Sequence, residues 1–421
     1  MKESVLIIEN DSDSMELLSL LFEREGFAVY TAPDGAQGVA LARAHVPDVI
    51  VCDLIMDRMD GFHVLQAVRA QAELARTIIV VVSAKSYKPD IARATELGAD
   101  AYLVKPITPD EVLAAIDRGR RARMARKLRV TFWGTRGSIA APGPATTVFG
   151  GNTSCVEVRA GEDILIFDSG TGIRELGLSL MKEFHNRPLT VHLFISHTHW
   201  DHIQGFPFFM PAYAPGTTVH LYGAPGPGRS LQKLLAGQMN PDYFPVALGD
   251  LAATIRMHEF QGTSFQIGNT TVAATYLNHP GMTLGYRVTT GDKTIVYATD
   301  NEQYRHTLEH LGQRAEAGRE FGQRLDEAFT SFVSRADLYI GEAQYTDDEY
   351  REKIGWGHSP LSATVEVALK AQVKSLALFH HDPMHADDVV AAMEAEAQRL
   401  VTSHGGTLRC FAAREGQQLE I

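Results

Sequence analysis

The feature that most constrains this chain is the run Ser196-His197-Thr-His199-Trp-Asp201-His202, which follows directly on the apolar stretch Val191-His-Leu-Phe-Ile195. Such a stretch reads as a buried strand, so the loop leaving it carries four imidazole or carboxylate groups in the form H-x-H-x-D-H. At this spacing His197 and His199 can reach one metal ion, while Asp201 and His202 reach a second a short step away. These donors suit zinc, and also manganese or iron. Packing alone rarely puts four of them in one strand-to-helix loop.

Other apolar runs end in the same kinds of side chain. Asp168 closes Ile164-Leu-Ile-Phe167, Asp300 follows Tyr297-Ala-Thr299, and His380 closes Leu376-Ala-Leu-Phe379, with His381 and His385 close by as alternatives. His279 stands in Asn278-His-Pro-Gly281. In this order, with H-x-H-x-D-H, the set resembles the metallo-β-lactamase fold superfamily over roughly residues 129–421. The resemblance implies an α/β domain built as an αββα sandwich with two divalent metal ions, zinc first, manganese or iron as alternatives. It implies His197, His199 and His279 around one ion and Asp201, His202 and His380 around the other. Asp300 would lie between them, and Asp168 would brace the metal loop.

Within the superfamily the likeness is closer to the phosphodiesterase branch, which includes RNase Z and related cyclic-phosphate hydrolases. Gly357-His358-Ser359 resembles that branch's His-Ser motif, and Glu342 in Ile340-Gly-Glu-Ala343 resembles its Glu-Ala segment. The resemblance implies that His358 is catalytic and that Glu342 supports it. Ser359 before Pro360 also reads as a helix cap, and the two roles are compatible. The chemistry implied is two-metal hydrolysis of a phosphodiester. Cations lower the pKa of a water, Asp201 orients it, and His358 stabilises the transition state or protonates the leaving oxygen.

At 421 residues the chain is too long for one ordinary core. Its first part alternates strands and helices. Val5–Ile8, Asp48–Cys52, Thr77–Val82 and Ala101–Val104 read as buried strands, and Ser14–Arg24 as a helix that Gly26 ends. This alternation predicts a parallel sheet covered on both faces. From Thr108 a helix runs into Arg118, Arg120, Arg121, Arg123, Arg126 and Lys127, and a new strand starts at Arg129. The reading is a domain at 1–118, a basic helical linker at 119–128 and a second domain at 129–421. In the second domain Leu284–Tyr297 reads as a hairpin turning at Gly291-Asp292. Helices are expected around 303–335, 360–372 and 386–404.

Functional side chains of parallel sheets gather at the carboxyl ends of the strands. In the first domain those ends carry Glu9-Asn10-Asp11, Asp53, Ser83 and Lys105. They resemble the response-regulator receiver family, whose fold is a doubly wound, five-stranded, flavodoxin-like parallel sheet. The resemblance implies Asp53 as phosphoacceptor, Ser83 as the hydroxyl that senses the phosphoryl group, and Tyr102 as the aromatic switch. Lys105, before the cis-prone Pro106, would bind phosphoryl oxygens. Magnesium would sit at the acidic residues, and a sensor histidine kinase or other signalling protein would be the partner. Two positions depart from the pattern. Asn10, beside Glu9, stands where the direct magnesium ligand is expected, and a neutral amide is a weaker ligand for a hard cation. Asp57 replaces a usual proline. A receiver that takes phosphate poorly is therefore expected.

The formal net charge of −12 does not favour nonspecific binding of long polyanions. The Gly/Pro-rich segment 223–250 reads as a rim or lid rather than a basic arm, and Phe206-Pro-Phe-Phe-Met-Pro211 as an apolar wall beside the metals. Ordinary packing would account for either. A small or cyclic nucleotide is thus expected in preference to tRNA. The competing readings are an RNase Z-like nuclease, a lactone, thioester or β-lactam hydrolase, and a non-catalytic signalling adaptor. No apolar run approaches a membrane span, the N-terminal stretch does not read as a signal peptide, and Cys52, Cys155 and Cys410 form no C-x-x-C pair. A reducing cytoplasm is expected, and a homodimer is compatible with the sequence.

Overall fold

The computed structural model describes residues 3–56, 58–74, 77–125, 128–185, 187–260, 264–312 and 316–421, with only the backbone at 72, 121–125 and 316. Asp57, Arg126, Lys127 and the side chains of Arg121 and Arg123 lie outside the described residues. The chain forms two compact units, Met1–Met124 and Ala125–Ile421. The helix Pro109–Ala125 is continuous across residue 118. On it Arg120 pairs with Glu3 at 2.9 Å, within the first unit.

In the first unit β1 (Ser4–Ile8), β2 (Ala28–Ala32), β3 (Val49–Asp53), β4 (Ile78–Ser83) and β5 (Ala101–Val104) form one parallel sheet in the order β2-β1-β3-β4-β5. β3 and β4 are buried along their whole length, and β1 from Val5 onward. That two-sided burial is why they read as unbroken apolar runs. β2 is a half-exposed edge strand, so Ala28-Val-Tyr-Thr-Ala32 carries no clear sequence signal. The order reverses between β1 and β3, and Glu9, Asp53, Ser83 and Lys105 all stand at carboxyl ends of strands.

The second unit continues with β6 (Leu128–Gly134), β7 (Cys155–Ala160), β8 (Asp163–Phe167), β9 (Leu189–Phe194), β10 (Thr217–Gly223) and β11 (Thr254–Glu259). Then come β12 (Ser264–Ile267), β13 (Thr270–Tyr276), β14 (Leu284–Thr290), β15 (Lys293–Ala298), β16 (Leu338–Glu342), β17 (Ser375–Phe379), β18 (Arg409–Ala412) and β19 (Gln418–Glu420). They make two mixed, seven-stranded sheets, β11-β10-β9-β8-β7-β6-β19 and β12-β13-β14-β15-β16-β17-β18. Phe132, Leu165, Phe167 and Phe194 of the first sheet pack against Tyr286, Tyr297, Ile340 and Phe379 of the second. Ile164, Ile166 and Leu193 face the opposite way, onto the helix Ile173–Phe184. The outer face of the second sheet packs on the helices Leu361–Lys370 and Asp387–Ser403. The layering is helix, sheet, sheet, helix.

The hairpin turns at Gly291, whose φ of 60° suits a residue without Cβ. The helical stretch around 303–335 comprises Tyr304–His310 and Glu316–Val333. Phe206 and Phe209 are buried in the core beneath the first sheet, so they pack that layer instead of walling the site. β8 and β9 run parallel in one sheet, as do β15, β16 and β17 in the other. The sheets are pinned together beside the metal loop, where Tyr286 Oη donates to the Ile195 carbonyl at 2.7 Å and the Leu284 N–H to the Ser196 carbonyl at 2.9 Å. Among the described residues no helix is long and apolar enough to cross a membrane.

Phe167 is fully buried, with ring centroids of Phe194, Tyr297 and Tyr286 at 5.1, 5.4 and 5.8 Å. Phe167→Ala is expected to destabilise the second unit by about 3–5 kcal/mol. Denaturant unfolding followed by tryptophan fluorescence checks this, since the chain's tryptophans Trp133, Trp200 and Trp356 all lie in that unit.

Candidate metal centre

Several side chains of the centre start where the backbone turns left-handed. Asp168 has φ 61° just after β8, Asp300 has φ 54° beyond β15, His380 has φ 62° just after β17, and Ser138 has φ 61°. Non-glycine residues avoid this region at about 1–2 kcal/mol each. Here each turn follows the end of a strand and carries a polar group into the cluster.

Among the described residues four overlapping groups of possible ligand atoms result, two of which include His358. Those of His197, His199 and His279 lie within 4.8 Å of one another, and so do those of Asp201, His202, Asp300 and His380. Asp300 faces both. Its Oδ1 is 3.9 Å from His197 Nε2 and from His279 Nε2, while its Oδ2 is 3.2 Å from His202 Nε2 and 3.4 Å from His380 Nε2. Asp201 Oδ2 lies 3.1 Å from both His202 Nε2 and His380 Nε2 and accepts from the Ser138 N–H at 2.7 Å.

The surrounding groups set the imidazole tautomers. Nδ1–H of His202 donates to Asp168 at 2.7 Å, that of His279 to the Gly357 carbonyl at 2.9 Å, and that of His380 to Gln344 Oε1 at 3.0 Å. Each of these rings therefore turns Nε2 to the centre, as metal-ligating histidines do. Asp168 also accepts from the Ser196 N–H and Oγ and from Tyr297 Oη, so it ties the loop to both sheets. The buried Nε2 of His197 has no hydrogen-bond partner, and His202 Nε2 and His380 Nε2 face each other at 3.3 Å. An orphaned nitrogen and a close pair of ring nitrogens between carboxylates are a donor set that fits divalent cations.

The electrostatics divide the groups. Burial holds His197, His199 and His279 below the usual histidine value, so they are neutral and ready to ligate. Burial would lower His202 too, but Asp201, Asp300 and Asp168 outweigh it and raise His202 well above that value. Burial opposes ionisation of Asp201 and Asp300, yet His202 holds Asp201 far below the carboxylate range and His380, His202 and His197 do the same to Asp300.

His358 is buried, and its Nδ1 meets Glu342 Oε1 at 2.6 Å. Burial lowers His358, while burial and then Asp300 raise Glu342, so neither favours a full charge. The His358 ring is 5.0 Å from His279 and 5.4 Å from His380. It lines a cavity of about 440 Å³ with Ser138, Thr198, His199, Trp200, Asp201 and Asp300. A recess of about 120 Å³ on the other side of His199 is lined by Ala224–Pro227 and Pro280–Met282, so the rim segment does reach the centre.

His381 and His385 turn away. His381 Nε2 donates to the Ala413 carbonyl at 3.0 Å, and His385 Nε2 is 2.9 Å from Glu349. Sequence reasoning passed over Ser138, Gln344 and Arg136. Arg136 is 0% exposed and bonds the carbonyls of Gly150, Asp382 and His385, clamping the loop after His380. The available signal was an arginine between an apolar strand and Gly137, since buried arginines are held by partners. A Cβ on Gly137 would come within 2.4 Å of the His380 ring.

In the first unit Lys105 Nζ is 2.7 Å from both Glu9 Oε2 and Asp53 Oδ2. Ser83 is buried at the end of β4, and Tyr102 Oη donates to the Lys85 carbonyl at 2.8 Å. The Lys105–Pro106 peptide is cis. Asn10 is exposed, and Asp11 caps the helix Ser12–Arg24 by accepting from the Ser14 N–H at 2.8 Å.

A family model described as beta-lactamase superfamily domain matches residues 164–381. The chain belongs to the beta-lactamase superfamily. Ahead of that domain, a model for the response regulator receiver domain matches residues 5–117. This superfamily member is thus a receiver domain fused to a beta-lactamase-fold domain, and a receiver implies a phosphodonor partner. Among curated proteins it is 33% identical over 131 residues to the probable transcriptional regulator ycf27 of Guillardia theta, covering 31% of this chain and 49% of that one. The chain thus spans about half the length of that relative. Among solved structures it is similar to the metallo-beta-lactamase fold protein YhfI of Bacillus subtilis, with 20% identity, 70% of this chain and 100% of that one covered, and a TM-score of 0.46. It is also similar to human tRNase Z, short form, with 19% identity, 69% and 98% covered, and a TM-score of 0.45.

For ions held at these two groups, uptake would be proton-linked at one and not at the other. The raised His202 must lose its proton to ligate, whereas His197, His199 and His279 are already neutral. Affinity at the Asp201 group is expected to fall as pH drops through the raised His202 value and to level off above it. Zinc titration calorimetry in buffers of different ionisation enthalpy checks this, with proton release at neutral pH from the weaker-binding step at low pH.

Proposed function

We propose that this protein is a metal-dependent phosphodiesterase acting on a small phosphodiester of the nucleotide class, under control of its receiver. The observation that carries this reading is Asp300, whose Oδ1 faces His197 and His279 and whose Oδ2 faces His202 and His380, beside a His358 whose Nδ1 is tied to Glu342. His197, His199 and His279 would hold one ion and Asp201, His202 and His380 the other, with Asp300 between; zinc suits these donors best, and manganese or iron are alternatives. Two such cations supply Lewis acidity that lowers the pKa of a water and offsets charge on phosphoryl oxygens.

The chain's own residues supply the rest. Asp201, held by the Ser138 N–H, offers a carboxylate oxygen at the cavity wall to orient the nucleophile. His358, with Nδ1 tied to Glu342, keeps Nε2 for the substrate. Burial lowers its pKa, and an anionic phosphodiester would raise it, which favours proton donation to the leaving oxygen once substrate is bound. Trp200 is 79% exposed and lines the cavity, a surface on which a nucleobase can stack. That supports a nucleotide over a lactone or β-lactam.

The receiver would bind magnesium at Glu9 and Asp53 and accept phosphate on Asp53 from a histidine kinase or similar donor, but weakly. Lys105 already bonds both carboxylates, Asn10 brings no charge, and Asp11 is committed to its helix cap. Cation affinity follows the count of charged ligands.

Three experiments test these proposals. With zinc or manganese the protein is expected to hydrolyse bis(p-nitrophenyl) phosphate but not a lactone or a β-lactam, and His199→Ala should abolish turnover. His358→Ala should keep both metals and lose about a hundredfold or more of turnover; metal lost together with activity would contradict its role. At the receiver, Asn10→Asp is expected to raise magnesium affinity and the rate of Asp53 labelling by acetyl phosphate. Rapid stoichiometric labelling of the unmodified chain, with no gain from that change, would overturn the second proposal.

A further inference from the structure

We propose that Glu302 is a positioning residue for the centre: its buried carboxylate fixes the segment Gly355–His358 and, through Gly357, orients His279. The proposal rests on the metal reading above. Glu302 is 1% exposed, and a carboxylate is buried at a penalty unless its oxygens are satisfied. It belongs to none of the groups of possible ligand atoms found among the described residues. Oε1 accepts from Tyr350 Oη at 2.6 Å and from the Gly355 N–H at 2.8 Å. Oε2 accepts from the Gly357 N–H at 2.9 Å and from Gly355 at 3.1 Å. The donors run from Tyr350, at the end of the short helix Asp347–Tyr350, through the loop that leads to His358.

The same loop controls His279. Gly357 receives Glu302 at its N–H and offers its carbonyl to His279 Nδ1 at 2.9 Å, so one residue links the carboxylate to the imidazole. The fit is tight. Gly357 has φ 88°, and a Cβ there would lie 2.3 Å from His279 Nδ1. Glu302 also grips the other side of His279, because its own N–H donates to the Asn278 carbonyl at 2.9 Å. The Gly357 carbonyl keeps the proton of His279 on Nδ1 and leaves Nε2 toward His199 and Asp300. Without the Glu302 carboxylate, the Gly355 and Gly357 N–H groups would lack their acceptor and the loop would be free to turn. His279 would then lose the partner that sets its tautomer. The adjoining Asn301 reinforces the arrangement, since its N–H donates to Glu342 at 2.7 Å and its carbonyl accepts from Ser359 Oγ at 2.5 Å.

Glu302→Gln keeps the shape but turns an amide NH₂ toward backbone donors. Zinc calorimetry on the full chain is expected to show about 10–100-fold weaker binding at the His197/His199/His279 group and unchanged binding at the Asp201/His202/His380 group. The downfield imidazole N–H proton resonance of His279, identified by its loss in His279→Ala, should broaden or vanish. A merely structural role would lower thermal stability and leave both readouts alone. A folded Glu302→Gln protein with wild-type affinity at both groups and an intact His279 resonance would overturn the proposal. If Glu302→Gln does not fold, Tyr350→Phe decides: it removes one of the four hydrogen bonds and should weaken the first group severalfold, and unchanged affinity would overturn the proposal. An unmodified chain that takes up no zinc would instead sink the metal reading, and this inference with it.

Discussion

The second unit is organised around the burial of ionisable groups at one edge of a sandwich. Asp168, Asp201, Asp300 and Glu342 are buried among His197, His202, His358 and His380, and none of these polar groups could stay there without partners. The sheets solve the problem collectively. Asp168, just after β8, is satisfied by four donors, three from the metal loop and one from Tyr297 in β15 of the second sheet. That brace makes the H-x-H-x-D-H loop rigid enough to hold its imidazoles in one orientation. What remains unsatisfied is concentrated at the centre, where inward-facing nitrogens and carboxylate oxygens need a cation or a proton.

Close approach is the second requirement. Gly137 lies against His380 and Gly357 against His279, at distances no Cβ would allow. Gly170 is equally confined, since a Cβ there would come within 2.3 Å of the Asp201 carbonyl. These glycines bring backbone into contact with the ligand rings, while left-handed Asp168, Asp300 and His380 turn side chains inward at strand ends. Shape and charge are therefore one design, because displaced backbone would leave an imidazole without the acceptor that sets its proton.

The receiver meets the same difficulty and resolves it internally. Its carboxylates, Glu9 and Asp53, are buried at strand ends like those of the second unit, but a fixed ammonium from Lys105 sits between them. Lys105 thus offsets one of the two negative charges there. In the second unit the balancing proton on His202 is one that a metal can displace. This contrast is the physical basis for expecting a strong metal site in one unit and a weak one in the other.

Much of this was legible in residues alone. β3, β4, β8 and β17 announce themselves as apolar runs because they are buried on both faces, and the ligand groups follow from residues that end such runs. β2 was not legible, since a half-exposed edge strand has neither a clean apolar run nor a clean alternation. The sequence reading put His380 first and left His381 and His385 open as alternatives, because residues alone do not show which way the chain turns after Phe379. The left-handed backbone at His380 and the Arg136 clamp decided that. Glu302, Gln344 and Ser138 were invisible for a related reason: their partners lie far along the chain and meet them only once the sheets are packed. The sequence by itself determined which groups would be buried at strand ends, because apolar runs force burial. Only the tertiary structure decided which atoms face which, because hydrogen-bond partners and tautomers are properties of packed neighbours.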